Sequence, residues 1–274
     1  MRLEAEVERA LEQALACGAA APIETLAETV EDAGVRFVVR RVASFARKRA
    51  DPATPLVPWD ARLFVAEVPP AHALILNKFP VIARHALLVT RRFVPQEALL
   101  DEADFAALAR CLAEWDALAF YNGGREAGAS QPHKHLQLVP RDLGLPGGPP
   151  IAPLLARACG ETVPGLPFAH AFARCAPDAS AGARYAVYRR LLAALGVRES
   201  PEGLQSAPYN LLLTRDWMLA VPRLREKFDG ISVNALGFAG SLVVADEAAL
   251  RRVREAGPMA VLAAVSGSFP SACE

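Results

Sequence analysis

Residues 133 to 137 read His-Lys-His-Leu-Gln. In an extended strand, successive side chains leave opposite faces. His133, His135 and Gln137 then share one face, while Lys134, Leu136 and Leu138 share the other. The leucines can pack on a core while the polar row faces a cleft. Three polar groups in a row are costly to bury unless partners wait for them. Just upstream, Gly123, Gly124, Gly128 and Ala129 leave backbone N–H groups accessible, and Ser130 adds a hydroxyl. Such a loop can cradle phosphate oxygens. A neutral imidazole held beside a bound phosphate is a ready nucleophile near neutral pH. The chemistry to expect is group transfer at phosphorus through a histidine. Two histidines on one strand face can also bind a metal, but Gln137 is a poor third ligand. A purely structural pair is the other alternative, and the glycine-serine loop weighs against it.

The elements around this run follow from spacing. Leu3, Val7, Leu11 and Leu15 predict a first helix over residues 1–17, stopped by Gly18. A second helix is expected over 24–33, then a strand over 36–42. Residues 44–60 are basic and proline-rich, and read as a loop. Strands are expected over 63–68, 73–77 and 85–90. Pro95 is expected to open a helix that runs to about Trp115. A strand over 117–121 leads into the glycine loop. A helix over 180–195, a hairpin over 209–214 and 218–222, a strand over 237–244 and a closing helix from Asp246 complete the chain. This order mixes strands and helices without regular alternation, and implies an α+β fold with a mainly antiparallel sheet flanked by helices. Three parts are expected: residues 1–145 as a core carrying the H-x-H-x-Q strand, 146–180 as a Gly/Pro-rich connecting region, and 181–274 as the rest of the same fold.

Charge is balanced, with 30 basic and 30 acidic residues, which argues against a nucleic-acid-coating protein. No window carries the ~18 apolar residues of a membrane span. The first residues lack the pattern of a signal peptide, so a cytoplasmic location is expected. The five cysteines are scattered, which argues against a disulfide framework or a cysteine zinc site.

The segment GASQPHKHLQ resembles the active-site segment of the diadenosine tetraphosphate phosphorylases, also called ATP adenylyltransferases. These belong to the histidine-triad superfamily, on the branch with galactose-1-phosphate uridylyltransferase. LILNKFPVIARHALLVTRRF resembles the family's paired strands, and YNLLLTRDWMLAVPR its C-terminal region. The likeness runs from about residue 40 to about residue 245, with three matches in order. It implies a histidine-triad-like fold and phosphorolysis of diadenosine tetraphosphate to ATP and ADP, and the reverse. By the same resemblance, His135 attacks the α-phosphate and carries the AMP group, and His133 helps to orient it. Gln137 stands where hydrolytic members carry a third histidine. Gly128, Ala129, Ser130 and Gln131 match the phosphate loop, Asn122 a ligand contact and Asn77 the ribose contact. Lys48 lies where the family places a phosphate-contacting lysine. Arg223, Arg225 and Lys227 are candidates for C-terminal phosphate contacts. Pro132 departs from the family pattern, where an acidic residue is common. A divalent cation, Mg2+ by preference, is expected with the polyphosphate. The expected partners are nucleotides and phosphate, without nucleic acid or membrane, on a monomer. A dinucleoside polyphosphate hydrolase, a hexose-1-phosphate nucleotidylyltransferase and a non-catalytic nucleotide binder are the alternatives. His85 and the remaining histidines are read as structural.

Overall fold

The apolar positions near the N-terminus fold as helix α1 (Arg2–Ala16), which buries Leu3, Val7 and Ala14. The protein is described here by a computed structural model covering residues 2–43, 56–145 and 147–267. Lys48 therefore lies outside the described residues.

Residues 24–33 are not the helix that the sequence suggests. They form strand β1 (Thr25–Asp32), paired antiparallel with β2 (Val35–Val42). Asp32 and Val35 face each other across the turn Ala33-Gly34, whose φ values are 48° and 77°. Two positive-φ residues make a turn whose twist matches the flanking strands. That two-residue closure prevails over the helical spacing.

β3 (Phe64–Val68), β4 (His72–Leu76) and β5 (Ala86–Thr90) follow as expected. Helix α2 spans Glu102–Glu114 and does not begin at Pro95. Its start is set by a capping box, in which Asp101 and Asp104 each accept the other's backbone N–H. Residues 95–100 instead run beside other strand ends, with Pro95 bridged to His133 and Ala98 to Leu204. Next come β6 (Ala117–Gly123), β7 (His135–Pro140), α3 (Ala152–Leu155), β8 (Ala171–Arg174) and α4 (Ala181–Ala194). The hairpin β9 (Tyr209–Leu213) and β10 (Trp217–Pro222) precedes two short strands, β11 (Lys227–Phe228) and β12 (Ile231–Ser232). The strand expected from Gly237 begins only at Ser241. Asn234 first caps a single helical turn, α5 (Ala235–Phe238), before β13 (Ser241–Val244). α6 (Glu247–Ala256) and α7 (Pro258–Val265) close the described chain.

Eight strands form one antiparallel sheet in the order β3-β4-β5-β7-β6-β9-β10-β8. A second sheet, β1-β2-β13, pairs β2 and β13 in parallel. The large sheet has a core on each face. Leu136 and Leu138 join Phe105, Trp115 and Tyr188 on one side. Val139 and Phe120 join Phe37, Leu219 and Phe238 on the other. Among the described residues, no helix is long and apolar enough to cross a membrane.

Strand alternation places Lys134 on the helical side, where it is 2% exposed. Its Nζ donates to the Leu99 carbonyl at 3.0 Å and pairs with the Asp104 carboxylate. Asp104 is 1% exposed and also accepts from His72 Nε2 at 2.8 Å. Burial opposes ionisation of this carboxyl, but the bonds from His72 and Lys134 hold its pKa below the usual carboxylate value. Lys134→Met leaves that carboxylate buried without its cation. The expected stability loss is about 3–5 kcal/mol in denaturant unfolding. A loss under about 1 kcal/mol would show that the pair does not hold the strand.

Candidate active site

β7 begins at His135, and that ring is held in one tautomer. Its Nδ1 lies 2.8 Å from the His133 carbonyl oxygen. A carbonyl can only accept, so Nδ1 carries the proton and Nε2 keeps the lone pair. The ring is 4% exposed, and burial pushes its pKa down to about 4, against the His133 hydrogen bond. At neutral pH His135 is an uncharged imidazole with Nε2 as its nucleophilic atom.

The orienting contact from His133 is thus its main-chain carbonyl. Its ring goes elsewhere, with Nε2 2.9 Å from Thr90 Oγ1 and 3.2 Å from the Arg92 carbonyl. Burial lowers its pKa as well. The three-residue polar row expected on one face is therefore only partly realised.

Gln137 belongs to a directed chain. Asn77 Oδ1 accepts the Phe79 N–H at 2.9 Å, so its Nδ2 is left to donate to His85 Nδ1 at 3.1 Å. His85 then carries its proton on Nε2 and donates to Gln137 Oε1 at 2.8 Å. With its oxygen engaged, Gln137 presents its NH2 group as the remaining donor. Burial lowers the His85 pKa to about 4, against the bond to Gln137, and keeps the ring neutral as this chain requires. His85 is the residue that sequence reasoning missed. A single histidine before a strand carries no signal until the fold brings Gln137 and Asn77 to its two nitrogens.

The glycine loop folds as a short 3-10 turn, Arg125–Ala127, between Gly124 and Gly128. Gly128 has φ 92°, and a Cβ there would sit 2.8 Å from the Val233 carbonyl. Both the conformation and the space require glycine. The amides are not all free, as the sequence suggested. Gly128 N–H donates to Arg125 O, and Ala129 N–H to Gly124 O. Among the described residues, the N–H groups of Ser130 and Gln131 make no hydrogen bond. Of the amides from Gly128 to Gln131, these two remain for an anion, beside the Ser130 hydroxyl.

A cavity of about 750 Å³ opens between the two sheets. Asn77, Phe79, His85 and Gln137 line it from the large sheet, Arg40, Val42, Ser241 and Val243 from the small one, and Gly128 to Pro132 from the loop. His135 is not itself a lining residue, although Pro132 and Gln137 to either side of it are. Asn122 reaches the cavity, but its Oδ1 is taken by Asn210 Nδ2 and the Ala235 N–H, so it also ties β6, β9 and α5 together. Arg223, a candidate phosphate contact, is turned to protein acceptors. It is 3% exposed, and its guanidinium donates to Asn210 Oδ1 and to the carbonyls of Ala127, Arg225, Val233 and Val265. Burial lowers its pKa to about 10. Arg225 is exposed and outside the cavity lining, whereas Lys227 is part of it. Among the described residues, no group of three or more His, Cys, Asp or Glu side chains is arranged to hold a metal ion.

These shifts set a pH dependence. An imidazole with its pKa near 4 stays neutral throughout the neutral range, so a reaction that uses His135 as its nucleophile is expected to have its acid limb near pH 4. Both folded-state values lie below the unfolded value of about 6.5. Stability from these two rings is therefore full above that value and declines as pH falls towards 4. An acid limb centred near 6.5 in a kcat–pH profile would contradict the burial of His135.

Two family models divide the chain between them. Residues 1–157 match the Ap4A phosphorylase N-terminal domain, and residues 164–268 match the ATP adenylyltransferase C-terminal domain. Over 218 residues the chain is 30% identical to diadenosine 5',5'''-P1,P4-tetraphosphate phosphorylase 2 of Saccharomyces cerevisiae. That match covers 67% of this chain and 65% of the yeast protein, so it spans slightly less than two thirds of the relative. The crystal structure of yeast Ap4A phosphorylase Apa2 in complex with AMP superposes with a TM-score of 0.82 at 23% identity, covering 99% of this chain and 98% of that one. The complex of the same yeast enzyme with Ap4A gives 0.78 at 22% identity, covering 99% of each chain. This likeness establishes the α+β fold with its large antiparallel sheet.

Proposed function

We propose that this chain, which belongs to the Ap4A phosphorylase and ATP adenylyltransferase family, splits diadenosine tetraphosphate with phosphate into ATP and ADP. One observation carries the proposal most directly. His135 is neutral, carries its proton on Nδ1 and keeps Nε2 for attack. Two residues further along the strand, Gln137 lines a cavity together with the loop from Gly128 to Pro132. The substrate fits the family and the yeast enzyme of the same fold that was solved with Ap4A.

The reaction runs in two displacements. His135 Nε2 attacks the α-phosphorus, the bond to the bridging oxygen breaks, and ATP leaves. The adenylylated ring is then cationic, because Nδ1 keeps its proton, and the His133 carbonyl stabilises that charge. Phosphate attacks the same phosphorus in the second step. The N–P bond returns its electron pair to Nε2, and ADP leaves. The amides of Ser130 and Gln131, with the Gln137 NH2, meet the charge that builds on the phosphoryl oxygens. Gln137 also replaces the acid–base group that a third imidazole would supply, which disfavours attack by water. Glu97 and Glu226 are the only carboxylates among the described cavity residues. That donor set suits a divalent cation that enters on the polyphosphate and is not caged by protein.

Incubation with diadenosine tetraphosphate and magnesium, followed by nucleotide chromatography, tests this. ATP and ADP are expected only when phosphate is added. ATP and AMP without phosphate would make the chain a hydrolase. His135→Ala is expected to abolish turnover. Gln137→Ala is expected to slow it by about 100-fold or more while AMP still binds. Near-normal turnover by His135→Ala would overturn the nucleophile assignment.

A further inference from the structure

β6 and β7 pair from Ala117↔Pro140 to Phe120↔Gln137 and then stop. Continuing that register would set Asn122 opposite His135. Both strands run on past the break, since β6 pairs with β9 as far as Gly123 and β7 pairs with β5 at His135. What stands in the gap is the side chain of Gln96, which is 0% exposed. Its Oε1 accepts the His135 N–H at 2.9 Å. Its Nε2 donates to the Asn122 carbonyl at 2.9 Å and to the His135 carbonyl at 3.3 Å. A side-chain amide thus fills one rung of the ladder and satisfies the groups that the strands would otherwise offer each other.

The brace is itself fixed. Gln96 N–H donates to the Pro132 carbonyl at 2.8 Å, and its own carbonyl accepts from the Tyr121 hydroxyl. Both anchors lie at the ends of the phosphate loop, Tyr121 before it and Pro132 after it. The loop from Gly123 to Gln131 leaves β6 at the place where the strands are held apart.

We propose that Gln96 is a positioning residue. Its carboxamide spreads β6 from β7 and sets the distance between the His135 imidazole and the phosphate loop. Direct pairing of Asn122 with His135 would draw the loop towards the ring and close the space in which a phosphoryl group must sit. The inference rests on the adenylyl-transfer reading, because it assigns the spacing to that reaction.

Two variants test it. Gln96→Met keeps the volume and removes all three bonds. It is expected to lower kcat by roughly 10- to 100-fold, the scale of an ångström misplacement, with KM within about threefold. Gln96→Glu keeps the acceptor for the His135 N–H. When protonated it can donate to Asn122, but when ionised it sets negative charge against two carbonyl oxygens. Its kcat relative to wild type is therefore expected to fall as pH rises, with KM unchanged. A merely structural glutamine would give no such pH-dependent ratio. The proposal is overturned if Gln96→Glu tracks the wild type across pH, or if kcat and KM of a folded Gln96→Met both stay within about threefold. A wild type without turnover would defeat the transfer reading alone. Amide hydrogen exchange then decides on the brace: faster exchange of the His135 N–H in either variant supports it, and unchanged protection removes it.

Discussion

Asp104 is a carboxylate with almost no water around it, and what it grips decides which way the strand of His135 and Gln137 faces. It completes the capping box of helix α2 by accepting the Asp101 N–H, accepts from His72 and pairs with Lys134. Lys134 lies between the two histidines of the run, so its capture on the helical side sends its neighbours the other way. A one-residue slip of β7 would exchange the faces. It would take the ammonium off the helical side and leave the Asp104 anion buried there without its cation. Buried ion pairs are weak evidence for net stability, since desolvation offsets much of the attraction. Here the pair supplies register, because the alternative registers lack it.

From that register the chemistry follows through hydrogen-bond direction. Each group in the site has one role left after its protein partners are counted. The carbonyl of His133 leaves His135 with Nε2 as its base. Asn77, through His85, leaves Gln137 with its NH2 as donor. The internal bonds of the 3-10 turn leave the amides of Ser130 and Gln131 for the anion. Burial keeps both His85 and His135 uncharged, so the protonation states that these directions require are the ones present at neutral pH. Arg223 holds the base of the loop from below through the Ala127 carbonyl, and is spent in doing so.

Much of this was legible in the chain. Alternation correctly put Leu136 and Leu138 on the core and Gln137 at the cavity, and the punctuating prolines and glycines marked most strands. The failures share a cause, which is that local spacing cannot see closure. The helical spacing of residues 24–33 lost to a two-residue turn. Pro95 looked like a helix start, but the capping box at Asp101 lies further on. Gly128 and Ala129 looked like open amides, yet the turn uses them internally. His85 and Gln96 were silent because their partners are far away in sequence. Arg223 looked like a candidate phosphate contact because nothing local shows the carbonyls that converge on it.

A covalent adenylyl group at His135 Nε2 is the central intermediate of the proposed reaction. Intact and peptide mass spectrometry of the chain, mixed with diadenosine tetraphosphate and magnesium in the absence of phosphate, tests it most directly. The expected result is a gain of one adenylyl group on the peptide containing His135, discharged as ADP when phosphate is added. Formation of ATP and ADP by the wild type with no adduct at any time, or an adduct on another residue, would contradict it.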